Sequence, residues 1–167
     1  EKEFDVLVKG PVSGKTSVNA RLGHLDREHD SGLGDFSGMV GNAAVAWDVT
    51  GKTRIVAGVA RDLTATGLAR GGHVQNDRIY IGPTWAATAL ISVNLRYDHV
   101  SRDWKDVPAG SPDSGRNESV NIFSAGVEWQ PLRWLAVSGY VRGEKQDSNL
   151  NSGYRNTTVG GAVKAFF

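Results

Sequence analysis

Hydrophobic and polar residues alternate over long stretches of this chain. The clearest run is Ile91-Ser92-Val93-Asn94-Leu95-Arg96-Tyr97-Asp98, in which Ile91, Val93, Leu95 and Tyr97 fall to one side and Ser92, Asn94, Arg96 and Asp98 to the other. Side chains in a strand have a period of two, so the run predicts a strand with one apolar wall and one polar wall. Ile55, Ala57 and Val59 against Arg54, Gly58 and Asp62 repeat the pattern. The turns repeat too: Ser13-Gly14-Lys15-Thr16 and Thr50-Gly51-Lys52-Thr53 lie 37 residues apart, and Phe4, Val6 and Val8 match Gly41, Ala43 and Val45 at the same offset. A period of that size in an alternating pattern predicts hairpins arrayed around a sheet or barrel.

Carried along the chain, the pattern predicts about nine strands, near 3–9, 16–27, 36–48, 53–64, 76–86, 90–101, 118–129, 134–144 and 154–167. Most are longer than the roughly 5–6 residues usual in soluble sheets. They match the roughly 9–11 residues of a tilted membrane-spanning strand. Short turns near 10–15, 49–52, 87–89 and 130–133 alternate with longer polar stretches near 28–35, 65–75, 102–117 and 145–153. Short turns on one rim and long loops on the other are the habit of outer-membrane barrels. Met39, Val45, Ile55, Val59, Ile79, Ile81, Ile91, Val93, Leu95, Val127, Val137 and Val163 are then expected to face lipid.

Trp47, Trp85, Trp129 and Trp134 all sit beside a short turn, and only Trp104 lies elsewhere. Indole favours the headgroup zone, where the ring is half buried and its N–H stays wet, so the four predict a membrane-interface girdle. Val159, Gly161, Val163 and Ala165 alternate up to Phe167, the last residue. A terminal Phe on an amphipathic strand resembles the insertion signal of bacterial outer-membrane barrels, although Ala165 stands where a Tyr is commoner. That resemblance implies the barrel-assembly machinery and outer-membrane lipid as partners, and the bacterial outer membrane as location. The expected fold is therefore all-β: an antiparallel transmembrane β-barrel of 8–9 strands in one domain. An odd count of nine conflicts with the even numbers of bacterial barrels. Either the chain is part of a wider barrel, or residues from about 14 onward close as eight strands.

Composition narrows this further. The 167 residues carry a formal net charge of +1, which points to no nucleic-acid partner. Cysteine is absent, which excludes disulfides and thiolate metal sites. No apolar run is long enough for a transmembrane helix. The chain begins at Glu1 with no basic and apolar leader, as expected of a mature, trimmed or partial chain.

Gly34-Asp35-Phe36-Ser37-Gly38, Ala46-Trp47-Asp48-Val49-Thr50-Gly51-Lys52-Thr53, Leu95-Arg96-Tyr97-Asp98 and Gly153-Tyr154-Arg155-Asn156-Thr157-Thr158-Val159-Gly160 carry a family likeness. With these segments the chain resembles the C-terminal part of EpsL-like exopolysaccharide-biosynthesis outer-membrane proteins, within the wider β-barrel porin group. The resemblance implies a role in secreting or assembling an exopolysaccharide, with an anionic polysaccharide and other export proteins as partners. Family members are longer, which implies that this chain is the carboxy-terminal part of a larger barrel. No catalytic residues come with it.

The polar wall carries the functional signal. Arg21, Arg54, Arg78, Arg96, Arg142 and Lys164 are expected to point inward, with Asp62, Asp98, Glu128 and Glu144. Charged rings set pore selectivity, so these residues are candidate pore-lining groups for an anionic polymer. In a narrow barrel the same charges would pair across strands and plug the interior.

Other constellations carry less. Gly10-Pro11-Val12-Ser13-Gly14-Lys15-Thr16 is one residue short of a phosphate-cradling loop, and no helix pattern follows. Ser124 lacks the first glycine of a nucleophile elbow. His24, His29, His73 and His99 show no metal spacing. Asp26, Asp30, Asp35, Asp103, Asp106 and Asp113 match no calcium loop. No enzyme, metal or cofactor is expected. The leading reading is a porin-like conduit in exopolysaccharide export; the alternative is a small closed structural or adhesion barrel acting through its external loops.

Overall fold

The computed structural model describes residues 2–27, 36–65, 72–150 and 153–166. Nine strands follow one another: β1 (Lys2–Ser13), β2 (Thr16–Arg27), β3 (Phe36–Thr50), β4 (Thr53–Ala65), β5 (His73–Ala86), β6 (Ile91–Lys105), β7 (Asn117–Leu132), β8 (Leu135–Ser148) and β9 (Tyr154–Ala165). They form one antiparallel sheet in sequence order, each hydrogen-bonded to its neighbours in the chain. The sheet is open: β1 pairs with β2 and β9 with β8. Closure of residues from about 14 onward as eight strands is not what the fold adopts, because β2 is paired on both sides, with β1 and with β3.

The register preserves the alternation across all nine strands. One row of direct partners runs Pro83 … Leu95 … Ala125 … Val141 … Val159 on the apolar face, although Pro83 and Leu95 are joined only by continuing the β5–β6 ladder past Ile81↔Tyr97. The neighbouring polar row contains Asn94 opposite Gly126, which faces Tyr140, which faces Gly160. All twelve residues expected to face lipid lie on the apolar face. The two faces also differ in crowding. Leu25, Val40, Asp98, Val100, Glu118 and Val120 are buried and lie on the polar face, whereas Phe4, Met39, Ile79, Val127 and Val159 stand exposed on the apolar one. A curved sheet crowds side chains on its concave side and splays them on its convex side, so the polar face is the inner one. Leu7, Tyr140 and Tyr154 are exposed exceptions on the polar face, and His73, at the end of β5, is a buried one on the apolar parity.

The strands outrun their amphipathic segments. β6 continues to Lys105 and β8 to Ser148, and β5 already begins at His73. Sequence patterning stops where the apolar wall stops, but ladder hydrogen bonds need only the backbone. The stretch expected as a loop over 102–117 therefore shrinks to 106–116. The loops expected near 28–35 and 65–75 lie largely outside the described residues.

The turn repeat has a structural counterpart. Lys15 N–H donates to Ser13 Oγ at 3.2 Å, and Lys52 N–H donates to Thr50 Oγ1 at 3.1 Å, the same local hydroxyl bond in both copies. Each turn is also stitched to the next hairpin. Asp48 N–H donates to Lys15 O, Ala86 N–H to Lys52 O, Gln130 N–H to Leu90 O and Phe166 N–H to Trp134 O, at 2.7–2.8 Å. The apparent phosphate loop at 10–16 is one of these turns, between two strands.

Candidate functional site

The inner face gathers the candidate pore-lining residues. Arg21, Arg54, Arg78, Arg96, Asp98, Glu128 and Arg142 all lie on it, as do Asp62, Glu144 and Lys164. Because β2 to β9 present them in register, they form a field of charge across the sheet. Most of the arginines have a carboxylate beside them, so the field is mixed in sign.

The pairs have two origins. Some run along one strand, where residues two apart share a face. Arg96 holds Asp98 through Nε at 2.7 Å and Nη2 at 2.8 Å, and Arg142 donates to Glu144 at 2.8 Å. Tyr154 Oη also donates to Glu144. Others cross strands. Arg21 makes a forked bond to Asp5 at 2.9 and 2.7 Å, and Arg54 lies 3.5 Å from its direct partner Asp48. Arg78 has no ion-pair partner among the described residues; it sits between Ala60 and Val100, which offer no charge.

Tyr80 organises the centre of the face. Arg96 stacks on its ring, with the guanidinium carbon 4.3 Å from the centroid. Its other neighbour is Gly58, the direct partner on β4. Asp98 is 6% exposed, so its charge is held by the bidentate Arg96 rather than by water.

Beyond the predicted residues, the outer end of the face carries a second cluster. Glu118 is 4% exposed and lies among Arg116, which bonds it through Nε at 2.8 Å, and Arg102 at 3.7 Å. Arg116 also reaches Asp113 at 2.7 Å and stacks on Trp104 at 4.4 Å. Asp113, and then Glu118, hold the Arg116 guanidinium more firmly protonated than an ordinary arginine. Asn149 closes the cluster, accepting from Asn117 N–H and donating to Gly115 O, each at 2.8 Å. Arg102 and Glu118 continue the alternation of β6 and β7, so extending the period-two pattern past Tyr97 would have found them. The contact of Arg116 with Trp104 has no such signal, because the turn between them decides it.

The remaining predicted residues fall as follows. Trp47, Trp85 and Trp129 lie on the apolar face next to the short turns, all about half exposed, and Trp134 lies in the turn between β7 and β8. Phe167, His29, Asp30 and Asp35 lie outside the described residues. His73 is buried, with Nδ1 3.3 Å from the Asp106 carboxylate. His99 meets Asn121 Oδ1 at 2.9 Å on the apolar side. Ser124 faces Arg96 and Arg142 across the ladders, with no imidazole partner among the described residues.

Comparison with known proteins adds three findings. A family model described as "Putative beta-barrel porin 2" matches residues 12–167. No curated protein sequence matches the chain. Among solved structures, the fold is similar to OmpT, an outer membrane protein of Vibrio cholerae, folded in vitro: 14% identity, TM-score 0.59, over 97% of this chain and 56% of that one. It is similar also to the OmpT variant lacking loop L8, with 16% identity, TM-score 0.58, over 96% of this chain and 53% of that one. The chain thus spans about half the length of the solved chains it matches.

Proposed function

The chain belongs to the Putative beta-barrel porin 2 family, and from that premise we propose that it forms the wall of a bacterial outer-membrane conduit that takes part in exopolysaccharide export without chemistry of its own. The observation that carries the conduit reading is the division of one sheet into an apolar outer wall and a charged inner wall. A surface bearing Arg21, Arg78, Arg96, Asp98, Glu128 and Arg142 has no place against lipid and needs water or a polar solute in front of it. The exopolysaccharide assignment is supported by the sequence resemblance alone. The inner charges are mixed, so a polymer would slide along alternating donors and acceptors rather than bind one sign. Open strand edges are not tolerated in hydrocarbon, so on this reading β1 and β9 are paired by further strands in the intact assembly.

A second reading is favoured by a specific observation: Arg21, Arg54, Arg96 and Arg142 all carry carboxylate partners, as a plugged structural or adhesion barrel would require. Single-channel recording of the intact protein in planar bilayers separates the two. Stable conductance that is blocked by an anionic polysaccharide supports the conduit. A protein that inserts and passes no current belongs to the structural or adhesion class.

A further inference from the structure

Two cations stand directly opposite one another on the outer wall. Lys145 of β8 and Arg155 of β9 are register partners. Like charges directly across a ladder repel, so the pair is unfavourable unless an anion lies between them. Asp147 relieves Lys145 from one side at 2.8 Å. Arg155 has no ion-pair partner among the described residues and is exposed.

The surroundings suit one kind of anion. Lys145 and Arg155 border a shallow depression of about 280 Å³ on the outer face, with Tyr97, Phe123 and Gly143 beside them. Gly143 opens the floor, since a Cβ there would meet nothing within 4 Å. One row nearer the short turns the wall is Tyr97, Phe123, Gly143 and Thr157, and the next row is Leu95, Ala125, Val141 and Val159. The depression therefore sits where the apolar wall ends, with cations above and aromatic rings below. Tyr97 Oη donates to Asn121 Oδ1 at 2.8 Å, which occupies the acceptor of that amide and leaves its nitrogen as a neutral donor beside the two cations.

We propose that this depression binds the phosphate of an outer-leaflet glycolipid, with Lys145 and Arg155 on the phosphate and the acyl chains lying over Val141 and Val159. The proposal rests on the outer-membrane placement given above. A phosphate resolves the repulsion with charge-assisted bonds from both cations, and the aromatic pair holds the level of the headgroup.

The test is native mass spectrometry of the detergent-purified intact protein with bisphosphorylated lipid A, the same lipid dephosphorylated, and millimolar inorganic phosphate. Bisphosphorylated lipid A should remain bound, about tenfold or more in preference to the dephosphorylated lipid, as expected for two charge-assisted contacts. K145Q/R155Q should lose that preference, and R133Q, at the opposite rim, should keep it. Inorganic phosphate should not displace the lipid. Melting gives an independent readout: R155Q should raise the melting temperature in lipid-free detergent and lower it relative to the parent chain with lipid A. Lipid bound equally with and without phosphate, unchanged binding by K145Q/R155Q, or displacement by inorganic phosphate overturns the glycolipid site alone. A chain that takes up neither detergent nor lipid overturns the membrane placement along with it.

Discussion

The ring of Tyr80 lies over Gly58, its direct partner across the β4–β5 ladder. A Cβ built on Gly58 would come within 2.6 Å of the Tyr80 hydroxyl and 2.6 Å of the Ala43 carbonyl oxygen. The glycine is therefore the seat of the tyrosine, and the tyrosine in turn carries the Arg96 guanidinium. Covering a strand glycine with a cross-strand aromatic is a known way to pin register.

This geometry predicts that Gly58→Ala destabilises the sheet. The tyrosine ring can swing aside but the Ala43 carbonyl is backbone and cannot, so the cost should be about 1–3 kcal/mol, as for other overpacked sites. Tyr80→Ala in the same background should recover only part of it. Urea unfolding monitored by tryptophan fluorescence measures both, and an unperturbed midpoint for Gly58→Ala would show that Tyr80 is not seated there.

A second prediction uses neighbouring positions of opposite face. Val93→Arg puts a cation in the middle of the apolar wall and should cost about 2–4 kcal/mol of folding free energy in bilayers. Asn94→Arg, one residue on, should change it by less than about 1 kcal/mol, since the inner face already holds arginine. Refolding into phospholipid vesicles with denaturant titration reads both. Equal effects would contradict the assignment of walls.

The inner arginines are not equivalent. Arg96→Ser leaves Asp98 without its bidentate partner in a buried position, so it should destabilise by about 3 kcal/mol as well as shift selectivity toward cations. Arg78→Ser, which breaks no ion pair among the described residues, should shift selectivity with little change in stability. The shift in reversal potential should shrink at high salt, as screening contracts to about 8 Å at physiological ionic strength and less above it. Identical behaviour of the two variants would remove the distinction.

Assembly supplies a fourth prediction. Phe166 N–H is tied to Trp134 O at the turn rim, which places Phe166 beside Trp134. Deletion of Phe167 should reduce the heat-modifiable folded form in cells more than deletion of residues 108–113. Equal yields from the two deletions would leave no insertion signal at the terminus.

The sequence alone determined the β class, the place of each strand along the chain and the two faces of its alternating stretch. It could do so because alternation is local: Val93 and Asn94 point apart whatever the rest of the chain does. The turn repeat and the placement of Trp47, Trp85 and Trp129 beside short turns were legible for the same reason. Pairs along one strand, such as Arg96 with Asp98, were within reach of that logic. The tertiary structure decided everything that depends on register. Asp5 meets Arg21, Gly58 meets Tyr80 and Lys145 meets Arg155 only because one strand is aligned on the next by the ladder, and a slip of one residue would part all three. It also decided how far the strands climb beyond the apolar wall, since backbone hydrogen bonding continues where side-chain patterning has already ended.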